Sequence, residues 1–301
     1  MSEKVRIYEV GPRDGLQNEA AIIPTSQKIA LIDLLSRAGF EKIEATSFVS
    51  PRWVPQLADA ADVMAGIERL TGVDYGVLVP NLKGAEQALQ AGADEIAIFA
   101  SASEGFSQKN INCSIRDSLL RFEPVMALAK TVGIPVRGYV SCIVACPYDG
   151  AVEPGAVVDV ALALHDMGCY EISLGDTIGA GRPESIARVL DAVLAHFPAG
   201  QLAGHFHDTC DRALDNVRTA LAMGLRTFDS AVGGLGGCPY APGARGNVST
   251  AALNALLLAA GYETGIDQQI VEEAERFVAG LLAAERAPSI AHSHHIVQEV
   301  R

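Results

Sequence analysis

Eight short β-type runs alternate with amphipathic helical stretches along this chain, and no other feature constrains its fold as strongly. The strand candidates are Val5–Val10, Lys42–Thr46, Tyr75–Val79, Glu95–Ala100, Pro135–Cys142, Tyr170–Leu174, Leu202–His207 and Thr227–Val232. Helical periodicity fills the spaces between them, as in Ser26–Ala38, Ser114–Val132, Pro154–Met167, Glu184–His196, Ala213–Met223 and Thr250–Ala260. A strand that is followed by a helix returns to pair in parallel through a right-handed crossover. Eight such units favour closure over an open sheet, so the alternation predicts an α/β chain folded as a (β/α)8 TIM barrel. A 301-residue chain that is 49% hydrophobic can bury a core of that size. Its apolar set is dominated by Val, Ile, Leu and Ala, which suits strands covered on both faces.

Gly39, Gly92, Gly168 and Gly224 each follow a helical stretch, where glycine takes the left-handed C-cap conformation. They are assigned that role and no catalytic one. Asp267–Glu285 reads as one extra helix, and the segment from Pro288 onward is polar. With no linker visible, the expectation is a single barrel domain over 1–287 and a flexible tail over 288–301.

Several function classes drop out on charge and composition. A formal net charge of −13 removes the electrostatic drive for nucleic-acid binding. An anionic ligand can still be held by a local patch of arginine, metal and helix N-termini. No apolar run is long enough to cross a bilayer, and the N-terminus leads directly into a strand, so a cytoplasmic protein with no membrane partner is expected. The six cysteines form no Cys-x-x-Cys pair, which argues against structural zinc and for free, mostly buried thiols.

Barrels of this kind carry their chemistry at the C-terminal ends of the strands. There this chain places Arg13-Asp14, Glu44 and Thr46, Asn81, Ser141-Cys142, Asp176-Thr177, His205-Phe206-His207-Asp208 and the glycine-rich run from Gly233 to Gly243. His205 and His207 are two apart on a strand and share one face. Alone, such a pair is more often two satisfied histidines in a polar layer. Asp14 shifts the balance, because closure brings the first strand beside the last two. Asn247 can add an amide oxygen. Two imidazoles, a carboxylate and an amide suit a divalent Mg or Mn ion, although imidazoles leave zinc open. Arg13 reads as a structural ion pair or as a cation for a developing oxyanion. Two roles stay open for Glu44: holding Arg13, or holding a water at the ion. Cys238, in the glycine-rich loop, is a candidate proton shuttle. Trp53 reads as a packing residue. His292, His294 and His295 rank as a solvated end rather than a metal site.

The run Val10-Gly11-Pro12-Arg13-Asp14-Gly15-Leu16-Gln17-Asn18-Glu19 resembles the N-terminal motif of the 3-hydroxy-3-methylglutaryl-CoA lyases. Ser47–Gln56, Lys109–Ser114, Arg137–Cys142 and the Cys238 loop fit the same family, and the likeness runs from Val5 to Ala284. Arg-Asp-Gly alone would also fit acyl-CoA-condensing synthases; the Leu-Gln-Asn-Glu continuation and the cysteine loop favour the lyase. Asn247-Val248-Ser249-Thr250 is followed by Ala251, where the family often has an acidic residue, and Arg245 stands where small residues are common.

The resemblance implies metal ligation by Asp14, His205, His207 and Asn247, enolate support by Arg13, and a catalytic cysteine at Cys238. Glu44 and Asp176 match polar positions around the same site. It implies an acyl-CoA substrate cleaved in a retro-Claisen step, with His205 or Asp14 as base, in a homo-oligomer, expected as a dimer. The competing readings are a lyase for a related thioester such as citramalyl-CoA, a condensing synthase, and a non-catalytic CoA-binding barrel.

Overall fold

Alternate residues of neighbouring strands face opposite sides of the sheet, and here the two sides differ in chemistry. Val77, Val79, Ile96, Ile98, Val140, Ile172 and Leu174 pack outward with helix residues such as Leu31, Val157 and Val189 in one main core. The computed structural model describes residues 2–19, 21–236 and 246–286. The barrel strands are β1 (Arg6–Glu9), β2 (Lys42–Ser47), β3 (Asp74–Leu78), β4 (Glu95–Ser101), β5 (Val136–Ser141), β6 (Glu171–Asp176), β7 (Leu202–Phe206) and β8 (Thr227–Ser230). Each pairs in parallel with the next, and β1 closes the ring against β8, with Tyr8 opposite Asp229. The predicted (β/α)8 barrel is therefore the observed one.

The helices are α1 (Thr25–Ser36), α2 (Ala60–Gly66), α3 (Leu82–Gln90), α4 (Glu104–Ile111), α5 (Ile115–Val132), α6 (Pro154–Met167), α7 (Pro183–Leu194), α8 (Ala213–Ala222), α9 (Thr250–Ala259) and α10 (Gln268–Arg286). Six of them, and the extra α10, fall where periodicity placed them. The short α2, α3 and α4 carry too few turns to show a period, and their start signals decide them instead. Asn81 and Ser103 accept from the N–H of Gly84 and Phe106, capping α3 and α4. Gly39 shows why its position is glycine: φ is +94°, and a Cβ would lie 2.3 Å from the Gly265 carbonyl.

Facing inward, the strands carry charge. Arg137, Glu171, Asp229, Glu95 and Glu44 are all buried inside the ring. Buried charges persist only when paired, and Arg137 is paired with both Glu171 and Asp229. A small apolar patch of Leu78, Ala97 and Tyr139, flanked by Val49 and Phe99, lines β3–β5. A two-stranded hairpin, Ala145–Cys146 with Gly150–Ala151, follows β5 and had no sequence signal. Trp53 corrects the sequence reading: it is 81% exposed, on the loop after β2, and packs into no core of the described residues. Cys113, Cys142, Cys146 and Cys169 are free and buried as expected, whereas Cys210 is exposed. Among the described residues no helix is long and apolar enough to cross a membrane. The tail histidines lie outside the described residues.

Candidate active site

The first ligand candidate sits on an unusual turn. After β1 the chain makes a π-helical turn, Gly11–Gly15, in which the N–H groups of Arg13, Asp14 and Gly15 converge on the Val10 carbonyl. Such turns are rare and concentrate at functional sites. Glu9 anchors this one. Its buried carboxylate accepts from Gly11 N–H (2.8 Å), Val232 N–H (2.9 Å) and the Thr250 hydroxyl (2.6 Å). One side chain thus ties together the turn after β1, the loop after β8 and the start of α9. Burial pushes the Glu9 carboxyl up to about 7 against these three donors. Gly11 has no room for a side chain, since a Cβ would lie 2.5 Å from Glu9 Oε1.

The turn aims Arg13 and Asp14 across the barrel mouth. Arg13 Nε donates to Glu44 Oε2 (2.5 Å) and its Nη1 to Asp14 Oδ1 (2.8 Å), with the guanidinium 5.5 Å from the Tyr139 ring centre. Of the two roles left open for Glu44, the structure shows the hold on Arg13. Glu44 Oε1 is buried with no partner among the described residues. Burial pushes the Glu44 carboxyl up in spite of Arg13.

Asp14, His205 and His207 come together. Their ligand atoms lie within 4.8 Å of one another. His205 Nε2 is 3.3 Å from His207 Nε2 and 3.9 Å from Asp14 Oδ2. Burial favours the neutral form of Asp14, but Arg13 and the two imidazoles outweigh it and lower the carboxyl to about 2. Burial, with the neighbouring His205, lowers His207 to about 4, so that ring is neutral at pH 7. His205 moves the other way: burial opposes the charge, and the hydrogen bond to Asp229 overrides it. The β7 strand ends at Phe206, one residue short of the predicted end, and His207 is placed by an isolated antiparallel bridge to Asn247.

Asn247 joins this group in a way the sequence did not anticipate. Its Nδ2 donates to Asp14 Oδ2 (2.7 Å) and to the Leu235 carbonyl (3.1 Å), while Oδ1 is buried without a partner among the described residues. The amide therefore positions Asp14 in this arrangement, and a half-turn of its side chain would present Oδ1 instead. Gln17 Nε2 also donates to Asp14 Oδ1 (2.8 Å). An ionised carboxylate, a neutral imidazole, converging Nε2 atoms and an orphaned amide oxygen fit a divalent cation.

The remaining candidates divide. Asp176 accepts from Gly181 N–H (2.8 Å) and Ala180 N–H (3.2 Å) and shapes the loop after β6; burial raises its carboxyl to about 6. Asn81 is a helix cap, as above. Cys238 and Arg245 lie outside the described residues. Gly236 approaches the group closely: φ is +99°, and a Cβ would lie 2.6 Å from Asn247 Nδ2. Tyr139, Arg137, Asp229 and Ser173 pack directly beneath the site, and the sequence reading passed over their side chains. A signal did exist: Arg137 and Asp229 are charged residues inside runs that otherwise read as apolar strands.

Comparison with known proteins covers the same stretch of chain. The family model described as HMGL-like matches residues 4–278. The cytoplasmic 3-hydroxy-3-methylglutaryl-CoA lyase of Rattus norvegicus is 56% identical over 278 residues, 92% of this chain and 81% of its own length. The crystal structure of the HMG-CoA lyase of Brucella melitensis superposes with a TM-score of 0.93 at 58% identity, covering 94% of this chain and all of that one (100%). An HMG-CoA lyase from Acinetobacter baumannii, in complex with coenzyme A and 3-methylmalate, matches with a TM-score of 0.89 at 35% identity over 99% of this chain and 98% of its own. With the barrel, the Arg13–Asp14 turn and the paired imidazoles in place, these matches show that the chain belongs to the HMGL-like family and, within it, to the 3-hydroxy-3-methylglutaryl-CoA lyases.

Proposed function

We propose that this chain cleaves 3-hydroxy-3-methylglutaryl-CoA to acetyl-CoA and acetoacetate in a retro-Claisen reaction that depends on Mg or Mn. The observation that carries the reading is the convergence of Arg13, Asp14, His205 and His207 at one point of the barrel mouth. Asp14, His205 and His207, with the Asn247 amide oxygen, would hold the ion. When bound there, a divalent cation supplies Lewis-acid polarisation of a substrate oxygen.

The chain's own groups account for the rest. The 3-hydroxyl proton goes to Asp14 or His205, the two basic groups at the point where the ligand atoms converge. The C2–C3 bond then breaks, C3 becomes the ketone of acetoacetate, and the electron pair passes to the thioester enolate. Arg13 is fixed by Glu44 and faces that negative charge without having to reorganise. Leu78, Ala97 and Tyr139 offer an apolar wall beside Arg13 for the uncharged part of the acyl group. Cys238 is assigned the return of a proton to the enolate carbon. The expected form is a cytoplasmic homodimer acting in leucine-degradation-type chemistry.

The test is to incubate the purified protein with 3-hydroxy-3-methylglutaryl-CoA, with and without Mg or Mn, and to measure acetoacetate. Release that requires the metal supports the reading, and no release with either metal ends it. A parallel panel containing citramalyl-CoA and longer hydroxyglutaryl thioesters separates the related acyl preferences.

A further inference from the structure

Asp229 lies on β8, one strand beyond His205, and is fully buried. Its carboxylate meets four polar atoms of three side chains. Oδ1 accepts from Arg137 Nη2 (2.7 Å), and Oδ2 accepts from Arg137 Nη1 (3.1 Å) and from the Ser173 hydroxyl (2.7 Å). The same Oδ2 lies 3.0 Å from His205 Nδ1. Arg137 is itself immobilised. Its Nε donates to Glu171 (2.8 Å), its Nη1 to the Tyr139 hydroxyl (2.9 Å), and its guanidinium lies 4.4 Å from the Tyr8 ring centre.

The chemistry of these partners fixes a proton. A guanidinium only donates, and the carboxylate it holds only accepts. His205 Nδ1 must therefore be the donor towards Asp229, which leaves Nε2 with its lone pair in the neutral ring. Nε2 is the nitrogen that faces Asp14 and His207. His207 has no counterpart to this arrangement among the described residues, where its Nδ1 is buried with no partner. Within that set, His205 alone of the two imidazoles is oriented through its far nitrogen.

We infer that Asp229, clamped by Arg137 and Ser173, is a positioning residue that sets the tautomer of His205 and so makes Nε2 a competent ligand. The inference rests on the proposed metal site. It gives a purpose to an ionic cluster that otherwise only burdens the fold, since buried charges cost solvation. Partners of this kind, at the far nitrogen of a ligating histidine, are typically worth roughly 10–100-fold in metal affinity.

The test needs no turnover. Mn is titrated into the metal-free full-length protein, wild type and Asp229→Asn, by electron paramagnetic resonance. An asparagine that keeps its oxygen on Arg137 turns its NH2 towards Nδ1, which must then accept, and the proton moves to Nε2. Asp229→Asn is expected to bind Mn roughly 10–100-fold more weakly. In parallel, 15N chemical shifts of the ring nitrogens read the His205 tautomer directly, and the wild type is expected to carry its proton on Nδ1. That second measurement requires no variant and decides the matter even if Asp229→Asn fails to fold. A wild-type His205 protonated at Nε2 overturns the inference, as does Mn binding by the folded variant within about twofold of wild type. A wild type that binds no Mn sinks the metal-site reading, whereas normal wild-type binding with an unaffected variant sinks only the role of Asp229.

Discussion

Replacing Arg13 with glutamine separates two things the arginine does. Arg13 is 7% exposed and Glu44, its partner at 2.5 Å, is fully buried. Removing the cation leaves the Glu44 carboxylate in the barrel with its Oε2 unpaired as well as its Oε1. Breaking a buried pair from one side costs about 3–5 kcal/mol. In a chain of this size each kcal/mol moves the melting temperature by roughly 2 °C, so Arg13→Gln should melt about 6–10 °C lower. Catalysis should fall further, by about a thousandfold in kcat, because a preorganised donor to the developing oxyanion is lost. The double variant Arg13→Met with Glu44→Gln distinguishes these effects, since it removes both charges at once. Differential scanning calorimetry should show most of the lost stability restored, while acetoacetate release stays at the level of the single variant. If the double variant recovers activity along with stability, Arg13 serves only to neutralise Glu44. If Arg13→Gln cleaves at the wild-type rate, the oxyanion assignment is wrong.

Glu9 offers a pH prediction. Its carboxyl is raised by burial to about 7, so the folded state holds a proton that the unfolded state has released. Wild type should therefore lose stability as pH rises from about 4.5 to 7, by about 3 kcal/mol relative to Glu9→Gln, which has no proton to lose. Parallel urea titrations at the two pH values check this, and identical slopes for both proteins would refute it. Gly236→Ala introduces a Cβ at φ +99°, 2.6 Å from the Asn247 amide. It should cost about 1–3 kcal/mol and displace Asn247 from Asp14, lowering activity by at least tenfold without any charge change. A chelator should abolish acetoacetate release. Restoring Mn at about a hundred times its dissociation constant should add about 2.7 kcal/mol of stability, seen as a higher melting temperature.

The barrel was legible because eight buried strands and their crossovers leave a strong period, and Asp14, His205 and His207 were legible because each is a ligand-type residue at a strand end. What stayed hidden depends on three-dimensional pairing. Whether Asn247 presents its oxygen or its nitrogen to Asp14 follows from the Leu235 carbonyl beside it, which no spacing reveals. Trp53 was misjudged because a large aromatic usually packs, yet this one stands on a loop at the rim with nothing above it among the described residues. The short helices α2, α3 and α4 were missed for want of turns, and only their caps at Asn81 and Ser103 announced two of them.

The charged residues inside the strands were the most informative signal left unused. An inward position in a barrel is normally filled by a branched apolar side chain. An arginine there carries a solvation cost that packing alone never requires. Arg137 sits at such a position with carboxylates on two sides, and one of those carboxylates, Asp229, ends at the imidazole that faces the site. Charge inside a closed sheet is thus better treated as a pointer than as an anomaly: following each buried ion pair upward through its hydrogen bonds leads to the strand end where the chemistry sits. If a charge-free replacement of Arg137 and Asp229 by apolar residues of similar volume left metal affinity unchanged, the cluster would be a packing feature only, and the pointer would lead nowhere.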